Sequence, residues 1–297
     1  MVRYNDWRNR VFDYIVIFLL AILGVICLLP LLHVVALSFS SKNAAMAGRV
    51  TFWPVEFDTT PYTYMMQDIR FWKAFLVSTE RVFLGGTINL VLTILTAYPL
   101  SLDKKEFPSR NIYMWVIIFT MLFGGSIVPW YFVIRSTGLI DTIWALVVPG
   151  ALPVFNMILV MNFFRNEPKP IKEAAIIDGV NQLQMMLKIC VPLALPAIAT
   201  VTLFSVVGHW NNFFDGLLLI NTPSKVPLQT YIYTLSNTNI DLSSKISSLT
   251  PQQLAALTSQ RTFNAAKVII ATLPILILYP FMQRYFVTGI TIGSVKE

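Results

Sequence analysis

Five long stretches of this chain carry no Asp, Glu, Lys or Arg. They lie between Asp13 and Lys42, Arg81 and Asp103, Arg110 and Arg135, Asp141 and Arg165, and Lys188 and Asp215. Each exceeds the roughly 20 residues that a helix needs to cross the hydrocarbon core of a bilayer. A sixth run, between Lys267 and Arg284, is shorter. It reaches spanning length if its helix extends from Phe263 to Thr288, with Lys267 snorkelling to the interface. Lipid offers nothing for a backbone N–H or C=O to bond, so these runs are expected to be helices. The expected spans are 14–38, 78–102, 111–134, 142–164, 192–219 and 263–288. The first run is far longer than the apolar region of a signal peptide, and no small-residue cleavage site closes it. It reads as a retained helix.

Composition points the same way. The chain is 56% hydrophobic and 12% charged, with a mean hydropathy of +0.65, whereas soluble domains carry about 25% charged residues. The net charge of +7 does not signal nucleic-acid binding, because the basic residues form no stripe with interleaved aromatics. They gather near helix ends. With the N-terminus inside, twelve Lys and Arg fall on the cytoplasmic side and nine outside. Short loops weigh most in this rule: the 103–110 loop holds Lys104, Lys105 and Arg110, the 135–141 loop only Arg135. The expected fold is therefore an all-α integral membrane protein. It has six transmembrane helices in one transmembrane domain over 1–297, and both termini are cytoplasmic. Cys27 and Cys190 are too isolated to suggest a disulfide framework or a metal site.

The loops add detail. Residues 42–73 form an outer loop whose Trp53, Pro54 and Pro61 suit the interface. Asp141 is a candidate N-cap for the fourth helix. Residues 220–262 form a long outer loop rich in Ser, Thr and Asn, with a candidate short helix at Gln252–Leu257. Prolines at 30, 99, 129, 149, 153, 196, 274 and 280 fall within or beside the apolar runs, where they kink membrane helices.

The polar segment 165–191, between the fourth and fifth runs, is the most specific feature. Pro168 and Pro170 can open a short helix. Gly179 supplies a residue able to take positive φ and stop it. Asn181 and Gln184 have the spacing of a capping box for a second helix through Met185, Met186, Leu187 and Ile189. Such a hairpin could anchor the protein to the membrane surface. Against that, Glu173, Asp178 and Lys172 crowd one end beside small Ala174 and Ala175. Small residues let another surface approach, and charges set its register.

The order Glu173-Ala174-Ala175, three residues, Gly179, nine residues, Ile189 and Pro192 resembles the EAA loop of the membrane subunits of binding-protein-dependent ABC importers. Val191 stands where Leu is usual, a one-methylene departure. The tail Tyr285–Lys296 is similar to the ending of maltose-type carbohydrate permeases. Gly124-Gly125, Pro129, Gly138-Leu139, Trp144-Ala145-Leu146, Pro149-Gly150, Phe155-Asn156 and Gly208-His209-Trp210-Asn211 resemble a subgroup linked to oligosaccharides, including acidic ones such as alginate fragments. The resemblance implies a permease subunit in a prokaryotic cytoplasmic (inner) membrane, with the 165–191 segment as a cytoplasmic coupling loop. Glu173, Ala174, Ala175, Asp178 and Gly179 would contact an ATPase, whose closure drives alternating access. It further implies a second, related permease chain in a heterodimer, two ATPase subunits, and an extracytoplasmic solute-binding protein facing the 220–262 loop. ATP and Mg would bind the ATPases, with no cofactor on this chain, since no G-x-x-x-x-G-K-[ST] occurs in it.

His209, Trp210, Asn211, Asn212, Phe213 and Asp215 sit at the outer end of the fifth run. Amides flanked by aromatics suit sugar hydroxyls and ring faces, and an interfacial aromatic belt accounts for them equally. Glu80 and Arg81 in the second span are functional candidates or a structural ion pair. His33 reads as a packed or interfacial histidine. A self-sufficient secondary transporter is the alternative, but no Asp or Glu lies centrally in any run to hold a coupling ion. The residues make no credible catalytic cluster, so an enzyme is not expected.

Overall fold

The computed structural model describes residues 7–237 and 260–294. The short helix expected at 252–257, most of the 220–262 loop and residues 295–297 of the tail lie outside the described residues. Chain contacts sort the protein into two units, Met1–Asp68 with Leu235–Leu273, and Ile69–Thr234 with Pro274–Glu297. Among the described residues the regular secondary structure is helical, joined by turns and loops, with one isolated bridge between Ser40 and Phe57.

In the first unit, α1 (Trp7–Ser38) has no buried residue in its most apolar window. A helix that is apolar on every side and leaves that window unburied among the described residues suits lipid. Its C-terminal end is tied down by hydroxyls. Ser40 donates to Ala36 O at 2.6 Å and accepts from Val55 N at 3.0 Å. Tyr62, on α3 (Thr60–Gln67), donates to Ser38 Oγ at 2.8 Å. Ser41 caps the short α2 (Lys42–Met46) by accepting from Ala44 N. His33 pairs with Thr51 O at 2.7 Å. The last helix, Gln260–Ser294, begins in this unit. Lys267 does not snorkel as expected; it is 3% exposed, donates to Asn264 Oδ1 at 3.1 Å and lies over the Phe263 ring.

In the second unit α4 (Ile69–Ser101) is the central mast, with α11 (Leu195–Asn211) and α8 (Val154–Arg165) packed along it. It starts nine residues before the expected Ser78, because charged residues such as Arg70 and Lys73 end an apolar run without ending a helix. Its buried positions include Ser78, Arg81, Gly85, Asn89, Thr93 and Ala97, a stripe at helical spacing of small and polar residues. A cluster of Ala97, Tyr98, Met157, Val160, Phe164, Ala175, Met185, Cys190 and Val201 closes one end of the bundle.

Three expected single spans are bent pairs. The third is α5 (Arg110–Leu122) followed by α6 (Ile127–Ser136) at 116°. The fourth is Ile143–Gly150, containing α7 (Ile143–Val147), followed by α8 at 47°. The fifth expected span, 192–219, is bent at its very start, where α10 (Gln182–Leu193), most of it in the preceding polar segment, meets α11 at 84°. Among the described residues three helices are long and apolar enough to cross a bilayer, and up to six spans result if each bent pair is one span. The breaks fall where proline coincides with glycine or a second proline: Gly124-Gly125 with Pro129, Pro149-Gly150 with Pro153, and Pro192 with Pro196. Each proline removes a donor, and glycine adds backbone freedom. Pro30 and Pro99 lie inside unbroken helices.

Asp141 corrects another expectation. The N-cap of α7 is Thr142, and no side-chain bond caps it. Asp141 instead takes a left-handed backbone, φ 62°, and latches a second loop. Its N–H donates to Leu219 O at 2.8 Å. Its carboxylate accepts from the N–H groups of Asn221 at 3.0 Å and Thr222 at 2.9 Å, from Thr222 Oγ1 at 2.6 Å and from Lys225 Nζ at 3.3 Å. The Thr222 hydroxyl, with these other donors, holds the carboxyl well below the usual carboxylate range. A depressed folded pKa stabilises the latch above the unfolded value of about 3.9, and that stabilisation is lost as pH falls toward the folded value. The latch therefore stays closed from neutral pH down through about pH 4 and opens only in stronger acid. Asp141→Ala opens it at every pH. Hydrogen exchange at the Asn221 and Thr222 amides should quicken about tenfold at pH 7 in that variant, as expected for the loss of a charge-assisted hydrogen bond. Unchanged exchange would show that the latch is idle.

Candidate functional site

A cleft of about 680 Å³ opens in the second unit, within the roughly 300–1,000 Å³ of small-molecule sites. Its walls come from α4, from the break in the fourth segment, from α11, and from α12 (Phe214–Leu219). Trp130, Phe204 and Phe214 supply ring surfaces; Asn89, Asn156, Ser205, His209 and Asn212 supply neutral polar groups.

Its charged corner is a buried ion pair between Arg81 on α4 and Asp215 on α12, 1% and 8% exposed. Arg81 Nη1 donates to Asp215 Oδ1 at 3.0 Å and to Asn212 O at 3.1 Å, while Nη2 binds Asp215 Oδ2. The carboxylate also accepts from Asn212 Nδ2 at 3.0 Å and from Gly216 N at 2.7 Å. Such a bidentate fork matches guanidinium to carboxylate geometry. Gly216 is required beside it: a Cβ there would come within 2.3 Å of Thr230 Oγ1, and Thr230 donates to Phe213 O to hold the turn.

Below this corner Asn89 joins three elements. Its Nδ2 donates to Gly150 O at 2.7 Å and Ala151 O at 3.0 Å, carbonyls of the broken fourth segment. Its Oδ1 meets His209 Nε2, on α11, at 2.6 Å. Gly85 makes room for the imidazole, since a Cβ there would lie 2.4 Å from Nε2. Asn156 Nδ2 reaches Ser205 Oγ at 3.2 Å.

The cleft brings together three of the six residues expected along a substrate path: His209, Asn212 and Asp215. Trp210 is buried against Phe75, ring centroids 5.8 Å apart. Phe213 stacks on Tyr233 at 4.6 Å, and Asn211 is exposed outside the lining. α11 ends at Asn211, so its neighbours point to different sides. Of the Glu80–Arg81 pair, Arg81 enters the site and Glu80 stays exposed. Asn89 and Ser205 are site residues that the sequence did not single out, and Asn156 stood only among the marks of resemblance, although isolated amides within apolar runs are a signal of their own.

The 165–191 segment folds as its sequence indicates. α9 (Lys169–Ile177) has Pro168 as its N-cap residue and stops at Gly179, φ +76°. The capping box is complete, with Gln184 N donating to Asn181 Oδ1 at 2.9 Å and Asn181 N to Gln184 Oε1 at 3.2 Å. Residues Met185–Cys190 of α10 then take π-helical geometry. Glu173, Ala174, Asp178 and Gly179 are exposed, while Ala175 turns inward to the core. Ile176 and Ile177 stand out beside them, 57% and 85% exposed. Lys172 fastens α9 to its neighbours, donating to Phe164 O at 2.6 Å and pairing with Glu167 at 3.1 Å.

Residues 81–292 match the family described as binding-protein-dependent transport system inner membrane component. The polygalacturonan/rhamnogalacturonan transport system permease protein YtcP of Bacillus subtilis is 36% identical over 97% of this chain and 99% of its own length. Protein LplC of the same organism is 39% identical over 99% and 97%. Among solved structures, a bacterial ABC transporter involved in the import of the acidic polysaccharide alginate has a chain 30% identical, with a TM-score of 0.82, covering 96% of this chain and all of that one.

Removing one member of a buried ion pair strands the other, at a cost of about 3–5 kcal/mol, whereas replacing both by apolar residues is often close to neutral. Arg81→Met and Asp215→Leu should each lower the thermal unfolding midpoint of the purified protein, and the double variant should regain most of the loss. A double variant as unstable as the sum of the two would mean that the pair is not coupled.

Proposed function

Because the chain belongs to the family of binding-protein-dependent transport system inner membrane components, a multi-pass membrane family of ABC importers, we propose that it is the permease subunit of an ATP-driven oligosaccharide importer. The observation that carries this reading is the exposed hairpin of α9 and α10. Local signals at Pro168, Gly179 and Asn181 build it, and Glu173, Ala174, Asp178, Ile176 and Ile177 are presented on one side. An ATPase subunit grips that side, on the cytoplasmic face. Ala175 and Met185 tie the hairpin into the core that also holds α4 and α8. Displacement of α9 is thereby passed to the helices that wall the cleft, as alternating access requires. ATP and Mg belong to two separate ATPase subunits, a second related permease completes the membrane unit, and a solute-binding protein delivers the sugar from outside.

The cleft supports a saccharide as cargo. Neutral amides, a hydroxyl and an imidazole face it among aromatic rings, and its one ion pair is internally neutralised. The relative's polygalacturonan/rhamnogalacturonan and the structural neighbour's alginate favour uronide-containing oligosaccharides. In the assembled complex in proteoliposomes, Glu173→Lys should cut ATP-driven uptake of trigalacturonate at least about tenfold, with the chain still inserted and the cleft intact. Loss of a charge-matched docking contact, together with the repulsion that replaces it, costs several kcal/mol. Uptake at the wild-type rate would remove the hairpin from the mechanism.

A further inference from the structure

Resting on the saccharide reading, we infer that His209 is the group that accepts a sugar hydroxyl in this cleft, and that Asn89 is the positioning residue that keeps its Nδ1 bare.

Two backbone carbonyls fix the chemistry. Gly150 O and Ala151 O lie at the break of the fourth segment, where regular helix hydrogen bonding stops. Only a donor satisfies a carbonyl, and both lie within 3.0 Å of the same Asn89 nitrogen. That sets the amide orientation: Nδ2 faces the break, so Oδ1 faces the imidazole. An amide oxygen only accepts, so His209 Nε2, 2.6 Å away, carries the proton. In a neutral imidazole the other nitrogen is then an acceptor with a free lone pair. Histidine with an ordinary pKa near about 6.5 is mostly neutral at pH 7 and above. Among the described residues Nδ1 has no hydrogen-bond partner, and the ring lines the cleft.

The site is built for this ring. Glycine at position 85 is the one residue type that leaves space for it, a Cβ there meeting Nε2 more closely than any other ring atom. Nearby, the amide nitrogens of Asn156 and Asn212 donate to Ser205 Oγ and to Asp215. A hydroxyl-rich ligand is the chemical class that donates to an imidazole nitrogen while laying ring faces on Trp130 and Phe204. Asn89 lines the cleft, but its amide atoms are taken up by the break and by the imidazole, so it acts through the tautomer.

The test uses the full importer, with its companion permease, ATPases and binding protein, labelled with 15N-histidine. The difference spectrum between wild type and His209→Phe isolates the His209 signals. A protonated Nε2 with a bare Nδ1 is expected, and Asn89→Leu should turn this into a mixture of tautomers, which a merely space-filling Asn89 would not do. A protonated Nδ1 in the wild type overturns the proposal. Uptake is read with two probes, trigalacturonate and neutral xylotriose. For an imported probe, His209→Phe should raise the half-saturating concentration about three- to tenfold, the effect of losing one hydrogen bond. His209→Gln, which keeps an acceptor, should recover part of it in a complex that copurifies at wild-type yield. An unchanged concentration dependence in His209→Phe overturns this proposal alone, whereas a wild-type complex that takes up neither probe overturns the saccharide reading.

Discussion

A break in a membrane helix leaves backbone carbonyls without helical donors, and satisfying them organises the second unit. Each unsatisfied group costs several kcal/mol in hydrocarbon, so a break is tolerated where a protein donor or a wet cavity serves it. For the fourth segment the donor is Asn89, whose amide nitrogen serves both Gly150 and Ala151. The broken helix and the amide thus require each other. The same amide orients His209, so one hydrogen-bonding demand at a backbone discontinuity sets the chemistry of the neighbouring cleft.

α4 carries most of this. Its stripe from Ser78 to Ala97 meets several different needs in succession. Ser78 accepts from Leu228 N at 2.7 Å, Arg81 holds the turn into α12, Gly85 admits the imidazole and Asn89 serves the break. Small and polar residues let helices approach closely in a membrane, where apolar side chains gain nothing by leaving lipid for one another. The low fraction of apolar contact along this stripe is therefore its function rather than a weakness of the packing.

How much of this was legible in the sequence follows from the range of each interaction. Pro168, Gly179 and the Asn181–Gln184 pair act within four residues, and the hairpin they specify is there. The α-helical class and the apolar runs were equally plain, because the length of a charge-free run reports on lipid directly. The bends in three runs were less so: proline marked their places, but Pro30 and Pro99 look alike in sequence and break nothing. The Asp141 latch, the Arg81–Asp215 pair and the Asn89–His209 contact join residues far apart in the chain, and nothing local encodes them. Yet the stripe on α4 recurs at helical spacing, and its polar members, taken together, point to Asn89 by periodicity alone.

α9 has one further property. Ala175 faces the bundle while Glu173, Ala174 and Asp178 face away, on a helix in which each residue advances about 100°. Inward and outward roles are separated only by angle. A single residue deleted just before Ala175 would swing everything beyond it by that amount, bringing Ile176 to the socket that suits alanine. The hairpin should accordingly tolerate changes of residue far better than changes of length.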